Sequence, residues 1–405
     1  MIICHENQCT GCAACLCSCP THAISMRENH EGFLIPLVDE DKCTRCDLCR
    51  KACPVLNEIQ LYRFDSPEVY AAWSLDESIR TDSSSGGIFS VMAEHIISET
   101  GIVFGAAFDS ELKLHHHEVM CKNDLSKLRG SKYLQSNIKD VYIKAKRYLD
   151  IGTKVMFVGT PCQVAGLYGY LRKEYPTLIT CDLLCHGVPS QRFFDQYLNY
   201  LRQNGYTQFN DISFRDKKHW GLATILIEHT LSKKEIFLTE RHNYYQQAYL
   251  RGLIYRKSCY SCKYAKLPRV GDLTLGDFWG IGKDTPFHHD PSQGVSLFLV
   301  NSRRGRELMQ ACRNGMFFEK RRLIEAKKMN PQVYRASEYP KRRDSFFVDI
   351  ETLPLEKIIK KYQLKKKITT REILHKSIRS VIGQNGIDVL KKLLKRLSKW
   401  LKSLS

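Results

Sequence analysis

At 405 residues, with 43% hydrophobic and 26% charged residues, the chain has the composition of a soluble globular protein and length for two or three domains. That excludes disordered and fibrous classes, and no run of about 18 apolar residues offers a membrane-spanning helix. A net charge of +19 favours an acidic partner, which a nucleic acid, an anionic lipid surface or an acidic redox protein would each supply. The seventeen cysteines are unusual. An odd number gathered in triplets and pairs reads as metal ligation in a reducing compartment, not as a secreted disulfide framework. The opening residues Met1-Ile2-Ile3-Cys4-His5-Glu6 lack a basic stretch leading into an apolar run, so the expectation is a cytoplasmic chain.

Residues 1–60 hold ten of the cysteines and few long periodic runs, so metal is expected to hold this segment together more than a hydrophobic core does. Two runs repeat, Cys9-x2-Cys12-x2-Cys15-x3-Cys19-Pro20 and Cys43-x2-Cys46-x2-Cys49-x3-Cys53-Pro54. In such runs three close thiolates grip three irons of one cubane while the fourth reaches across to the other cluster. A zinc ribbon needs single tetrahedral sets and gives no reason for a doubled three-plus-one pattern. The runs resemble those of bacterial two-cluster ferredoxins. That resemblance implies one [4Fe-4S] cluster on Cys9, Cys12, Cys15 and Cys53 and another on Cys43, Cys46, Cys49 and Cys19, with Cys17 a buried spectator.

From residue 66 the pattern becomes α/β. Strands are predicted at Val69–Trp73, Gly101–Phe108, Lys154–Gly159, Leu178–Leu184, Thr224–Ile227 and Val295–Val300, with helices at Gly87–Ile97 and Gln163–Arg172. The expected organisation is a small ferredoxin-like module over 1–60 followed by an α/β (α+β) region divided into 66–150 and 151–345. A basic helical tail follows over 350–405.

Four later cysteines stand in unusual contexts: Cys162 in Gly159-Thr160-Pro161-Cys162-Gln163, Cys185 in Cys185-His186-Gly187-Val188-Pro189-Ser190, and the pair Cys259-x2-Cys262. With Ser83-Ser84-Ser85-Gly86-Gly87 and the run Gly271-Asp272-Leu273-Thr274-Leu275-Gly276-Asp277-Phe278-Trp279-Gly280, these motifs resemble the beta subunits of deazaflavin (coenzyme F-420)-reducing hydrogenases and related dehydrogenases. The resemblance covers roughly residues 66 to 330. It implies one FAD and an adjacent [4Fe-4S] cluster, carried here onto Cys162, Cys185, Cys259 and Cys262. The competing reading makes Cys162 and Cys185 buried thiols and the Cys259/Cys262 pair half of a zinc site. Cys4, Cys121, Cys181 and Cys312 have no such context and read as ordinary thiols.

Ser85, Gly86 and Gly87 lead directly into a helix, where unpaired amides and absent side chains suit a pyrophosphate, although a serine-rich turn at a helix start is also an ordinary cap. Arg129-Gly130-Ser131-Lys132-Tyr133 offers a cation, a hydroxyl and an aromatic face. Thr160 and Gln163 form a second helix start beside Cys162. Asp277 and Trp279 either line the same pocket or belong to a packed turn. His115-His116-His117 and His288-His289 are expected to be solvated loop residues, because neighbouring side chains diverge on a strand or helix.

The tail carries fifteen basic against four acidic residues from position 351 onward, more than half of the net charge. Ile387, Leu390, Leu394, Leu397 and Leu401 fall on one helical face, which suits either an anionic membrane surface on the cytoplasmic side or docking on the protein itself. The functional expectation is an iron–sulfur flavoprotein oxidoreductase. Electrons would pass between the ferredoxin-type clusters and FAD for hydride transfer to or from an organic acceptor. The alternative is a non-catalytic electron-transfer subunit of a larger hydrogenase or dehydrogenase. Redox partners would be a ferredoxin or such a subunit, and no nucleic-acid motif supports a nucleic-acid partner.

Overall fold

The doubled cysteine motif becomes a doubled backbone. In the computed structural model, which describes residues 1–207, 209–217, 223–228, 234–238 and 243–365, each motif loop takes two left-handed residues at matching positions, Gly11 and Ala13 in the first, Arg45 and Asp47 in the second. Each then enters a four-residue helix, Ala14–Cys17 or Leu48–Lys51. An antiparallel hairpin of β1 (Ile24–Glu28) and β2 (Leu34–Val38) lies between them. The sequence pattern did not announce this hairpin.

The rest of the chain is built on one large mixed sheet. Its strands are β3 (Glu68–Ser74), β4 (Ile102–Phe108), β5 (Leu114–Val119), β6 (Val155–Gly159) and β7 (Leu178–Leu183). A separate three-stranded antiparallel sheet follows, made of β8 (Asp211–Asp216), β9 (Ala223–Glu228) and β10 (Lys234–Phe237). The chain then returns to the large sheet with β11 (Leu273–Asp277), β12 (Ser296–Val300) and β13 (Met316–Arg321). The large sheet runs in the order β13-β3-β12-β11-β7-β6-β4-β5, and the four consecutive strands β11, β7, β6 and β4 are parallel.

Side chains alternate across those strands as a period of two requires. Ile102, Phe104, Val155 and Phe157 face the helices Val141–Asp150 and Pro161–Leu171. Val103, Met156, Val158 and Ile179 face the helices Ile88–Ser98 and Arg303–Ala311. With both faces covered, β4 and β6 are apolar throughout, while β7 and β11 also carry the buried polar residues Thr180, Asp182 and Thr274. The first of these cores also takes in Cys12, Ala13, Ala14, Cys17 and Ala52, so the N-terminal module packs directly on the sheet's helical layer.

The expectation of a tail from 350 is corrected in part. The helix Arg343–Thr352 crosses that boundary, and Phe346, Phe347, Ile358, Ile359, Tyr362 and Leu364 are buried in a core shared with Phe193, Tyr197 and Tyr245. The amphipathic stretch 387–401 lies outside the described residues. His115, His116 and His117 are corrected too. They sit on edge strand β5, where His115 and His116 are buried and His117 is exposed. His288 and His289 are exposed loop residues, as expected.

Candidate functional site

In a parallel sheet, functional groups gather beyond the carboxyl ends of the strands. Strand β6 ends at Gly159 and runs through Thr160 into the helix that carries Cys162 in its first turn. Its neighbour β7 ends at Leu183, two residues before Cys185. Beside β7, β11 ends at Asp277 and delivers Trp279. Cys259 and Cys262 arrive on a short 3-10 turn, Lys257–Ser261, and its exit. Charge on Cys162, Cys259 or Cys262 would raise the Cys185 thiol further, which groups thiols from three separate segments in one neighbourhood. Burial pushes the Cys162 thiol up to about 12 and Cys259 to about 11. Free thiols here would stay protonated, and metal binding would release the protons.

Thr160 closes a capping box with Gln163 at this helix start, and Thr160 Oγ1 lies 3.2 Å from Cys162 Sγ. Gln163 Nε2 also donates to Ser136 O at 2.9 Å. These two residues thus position Cys162.

The N-terminal thiols divide by exposure. Cys9, Cys12, Cys15 and Cys53 are buried and line one small cavity together with Cys4. This is the three-plus-one grouping expected of an inner cluster. In the other set Cys46 is exposed, Cys43 and Cys19 are partly so, and Cys49 is buried. Backbone amides point at the sulfurs, with Gly11 N 3.4 Å from Cys9 Sγ and Ala23 N 3.2 Å from Cys19 Sγ. Such donors stabilise ligating thiolates. Among the described residues no three His, Cys, Asp or Glu side chains are grouped tightly enough to share one metal ion. A cubane gives each thiolate its own iron and accepts a wider set than zinc, whose sulfurs lie about 2.3 Å from a single centre. Cys17 is buried, with its thiol on Lys139 O at 3.3 Å.

The inner set and the sheet-edge set are brought together by glycine. On the helix Pro161–Leu171, a Cβ at Gly166 would lie 2.9 Å from Cys12 Cβ, and one at Gly169 would lie 2.3 Å from Ala52 O. The bare helix face admits the N-terminal module. Fastening comes from the segment that brings Cys259. Arg256 donates to Cys9 O at 2.6 Å and Leu34 O at 2.9 Å, and Ser258 Oγ donates to Cys9 O at 3.0 Å. Tyr264, two residues after Cys262, donates its hydroxyl to Pro54 O at 2.7 Å and so joins this segment to the end of the second motif.

Several of the expected flavin contacts also meet, around a residue that sequence reasoning missed. Arg215, at the end of β8, pairs with Asp277 at 2.8 Å, donates to Ser84 O at 3.0 Å and to Tyr133 Oη at 3.4 Å, and lies 5.5 Å from the Trp279 ring centre. Lys217 donates to Ser85 O at 2.5 Å, and Ser85 Oγ is buried without a hydrogen-bond partner. Lys132 donates to Arg129 O at 2.6 Å, and burial lowers its ammonium to about 7. The Ser-Gly-Gly turn needs one correction. The Gly86 amide is already donated to Ser296 Oγ at 2.9 Å, and a Cβ there would lie 2.3 Å from Ala72 O, so Gly86 is a packing glycine. Gly87 takes φ +86° at the helix start, a conformation that L side chains disfavour.

The two aspartates of the Gly271–Gly280 run separate into different tasks. Asp272 is buried and accepts from Thr180 N at 2.9 Å, Thr180 Oγ1 at 2.8 Å and Ser302 Oγ at 2.7 Å, which ties β7 to β11. Asp277, at the other end of the same strand, faces Arg215.

The family model for the C-terminal region of the coenzyme F420 hydrogenase/dehydrogenase beta subunit matches residues 152–326, and that of the 4Fe-4S dicluster domain matches residues 8–57. The beta-subunit match covers less than half of the chain. The segment matched by the first model contains Cys162, Cys185, Cys259 and Cys262 together with Arg215, Asp277 and Trp279, and the segment matched by the second contains both doubled motifs. A chain of the xenon-derivatised F420-reducing [NiFe] hydrogenase complex from Methanosarcina barkeri is similar at 18% identity and a TM-score of 0.44, covering 65% of this chain and 84% of that one. That likeness is too distant to carry chemistry. No curated protein matches the chain.

Arg215 went unread because its partners lie 62 to 131 residues away in sequence. Its only local signal was a charged run, Arg215-Asp216-Lys217, closing a strand. Cys4, read as an ordinary thiol, lines the inner cavity.

Proposed function

We propose that the chain is an iron–sulfur electron-transfer subunit, the beta-type component of a hydrogenase- or dehydrogenase-like assembly, with a third cubane on Cys162, Cys185, Cys259 and Cys262. The observation that carries this reading is the succession of thiol sets from the exposed Cys46, through the buried Cys9/Cys12/Cys15/Cys53 set, to the sheet edge. When bound, [4Fe-4S] clusters supply one-electron transfer. The chain's own residues set the order and closeness of the steps. Gly166 and Gly169 allow the approach, Arg256 and Ser258 fix it, and Thr160 with Gln163 hold Cys162 in place.

A second reading is favoured by the convergence on Arg215. An FAD held there would find the cations Arg215 and Lys217, the unpartnered hydroxyl of Ser85, and the rings of Tyr133 and Trp279. Bound FAD would supply two-electron hydride chemistry. The flavoenzyme expectation is then a property of the assembled site, not a separate function.

The test is anaerobic assay of the full chain with a reduced viologen as donor and the deazaflavin coenzyme F420 as acceptor, with and without added FAD. The subunit reading expects bleaching of the iron–sulfur absorbance with no sustained reduction of acceptor by the chain alone. Steady turnover that requires FAD would replace it with the flavoenzyme reading. Failure of Cys162→Ala to change either signal would remove the third thiol set from both.

A further inference from the structure

The inner cavity holds one thiol too many. A cubane takes four cysteines, yet Cys4, Cys9, Cys12, Cys15 and Cys53 all line it. Cys4 lies outside the doubled motif, five residues before its first cysteine. Its side chain packs against the buried cluster that holds Ile3, Cys15, Cys49 and Cys53, and it faces the same cavity as Cys9. Cys9 and Cys53 come from opposite ends of the dicluster domain, and Cys4 lines the cavity they share.

The N-terminal segment is held there. Ile3 is buried against Cys15, Cys49, Cys53 and Val55, and Arg50 donates to Ile2 O at 3.2 Å and to Ile3 O at 3.4 Å. Cys4 is therefore presented to the cavity by a packed and hydrogen-bonded neighbour.

We infer that Cys4 is a reserve ligand of the inner cluster, able to take the place of Cys9 or Cys53 on iron. The exchange is a simple substitution. Cys4 gives up its thiol proton and forms a sulfur–iron bond, the bond from iron to Cys53 or Cys9 breaks, and the released thiolate takes up a proton. No electron is gained or lost. The device would let the cluster survive loss or chemical blocking of one ligand at the buried step of the relay. The inference rests on the dicluster domain alone and is independent of the third thiol set and of the flavin.

Cys12 is the internal control, because it packs on the sheet's helical layer beside Gly166, whereas Cys4 packs in the separate cluster that holds Cys15 and Cys53. Iron and acid-labile sulfide are measured on anaerobically purified full chain, together with the low-temperature EPR of the reduced protein. Cys4→Ala and Cys53→Ala should each keep the wild-type iron content, Cys53→Ala with an altered EPR signal for one cubane. The double variant Cys4→Ala/Cys53→Ala should lose about four irons, as Cys12→Ala does alone. Loss of one cluster's iron in Cys53→Ala with Cys4 intact overturns the inference, and so does loss in Cys4→Ala alone, which would make Cys4 an obligatory ligand. If Cys53→Ala does not fold, Cys9→Ala with and without Cys4 gives the same comparison.

Discussion

At Arg215 a single side chain ties β8 to the end of β11 and to the Ser84–Ser85 turn. Its side chain is 7% exposed and that of Asp277 is 22% exposed. Removing one member of such a pair strands the other charge. Allowing for the exposure of Asp277, Arg215→Met should cost on the order of 2 kcal/mol, read as a lower urea midpoint at unchanged slope. The same variant should lower the FAD retained after gel filtration if the Arg215 site binds flavin. His116 provides a second test. Its Nε2 faces Val158 O at 3.0 Å and its Nδ1 faces Ser136 Oγ at 2.7 Å, which suits the neutral ring with the proton on Nε2. Burial lowers its pKa to about 4. In the unfolded chain the ring takes a proton near pH 6.5, so the stabilisation from a neutral buried His116 is present above that pH and is lost as pH falls toward 4. From pH 7 to pH 5 the loss is about 2 kcal/mol. A His116→Gln variant should show a pH slope shallower by that amount in denaturant titrations. Equal slopes would mean that the ring is protonated in the folded chain.

At the scale of elements, the helix Pro161–Leu171 matters most, because it holds Cys162 at one end and receives the dicluster domain along its side. Thr160→Val should cost about 1 kcal/mol through the lost cap and change the EPR signal of whatever cluster Cys162 ligates. Gly169→Leu should act differently. Its side chain would drive into Ala52 O, so the dicluster domain should keep about eight irons while electron transfer onward from it slows, measured by rapid-mixing reduction. This helix and strands β3, β4, β6, β7 and β12 were legible in the sequence because their apolar runs are buried on both faces and bounded by Gly, Pro or Asp. Strand β5 was not. Leu114-His115-His116-His117-Glu118-Val119 reads as polar, and only its edge position, with His116 turned inward and His117 outward, explains how it pairs with β4. The thiol sets were legible from spacing and motif. The basic site was half legible: its Ser, Tyr, Asp and Trp members stand in recognisable runs, but the arginine that joins them is fixed by tertiary contact alone.

At the scale of the whole molecule, the dicluster domain is clasped from two directions. Arg256 and Ser258 hold the Cys9 loop, and Arg343, fully buried, pairs with Glu31 on the β1–β2 turn while donating to Tyr255 O at 2.9 Å. A relay would need this rigidity, since electron transfer weakens steeply with distance. Among the described residues no helix is long and apolar enough to cross a membrane. Under the proposed function, three four-thiolate sets hold clusters in one chain. The direct measurement is iron and acid-labile sulfide per chain in anaerobically purified protein, alongside Cys185→Ala prepared in parallel. Three clusters give about twelve irons in the wild type and about eight in the variant. About eight in both would contradict it, leaving the dicluster domain as the only iron–sulfur site.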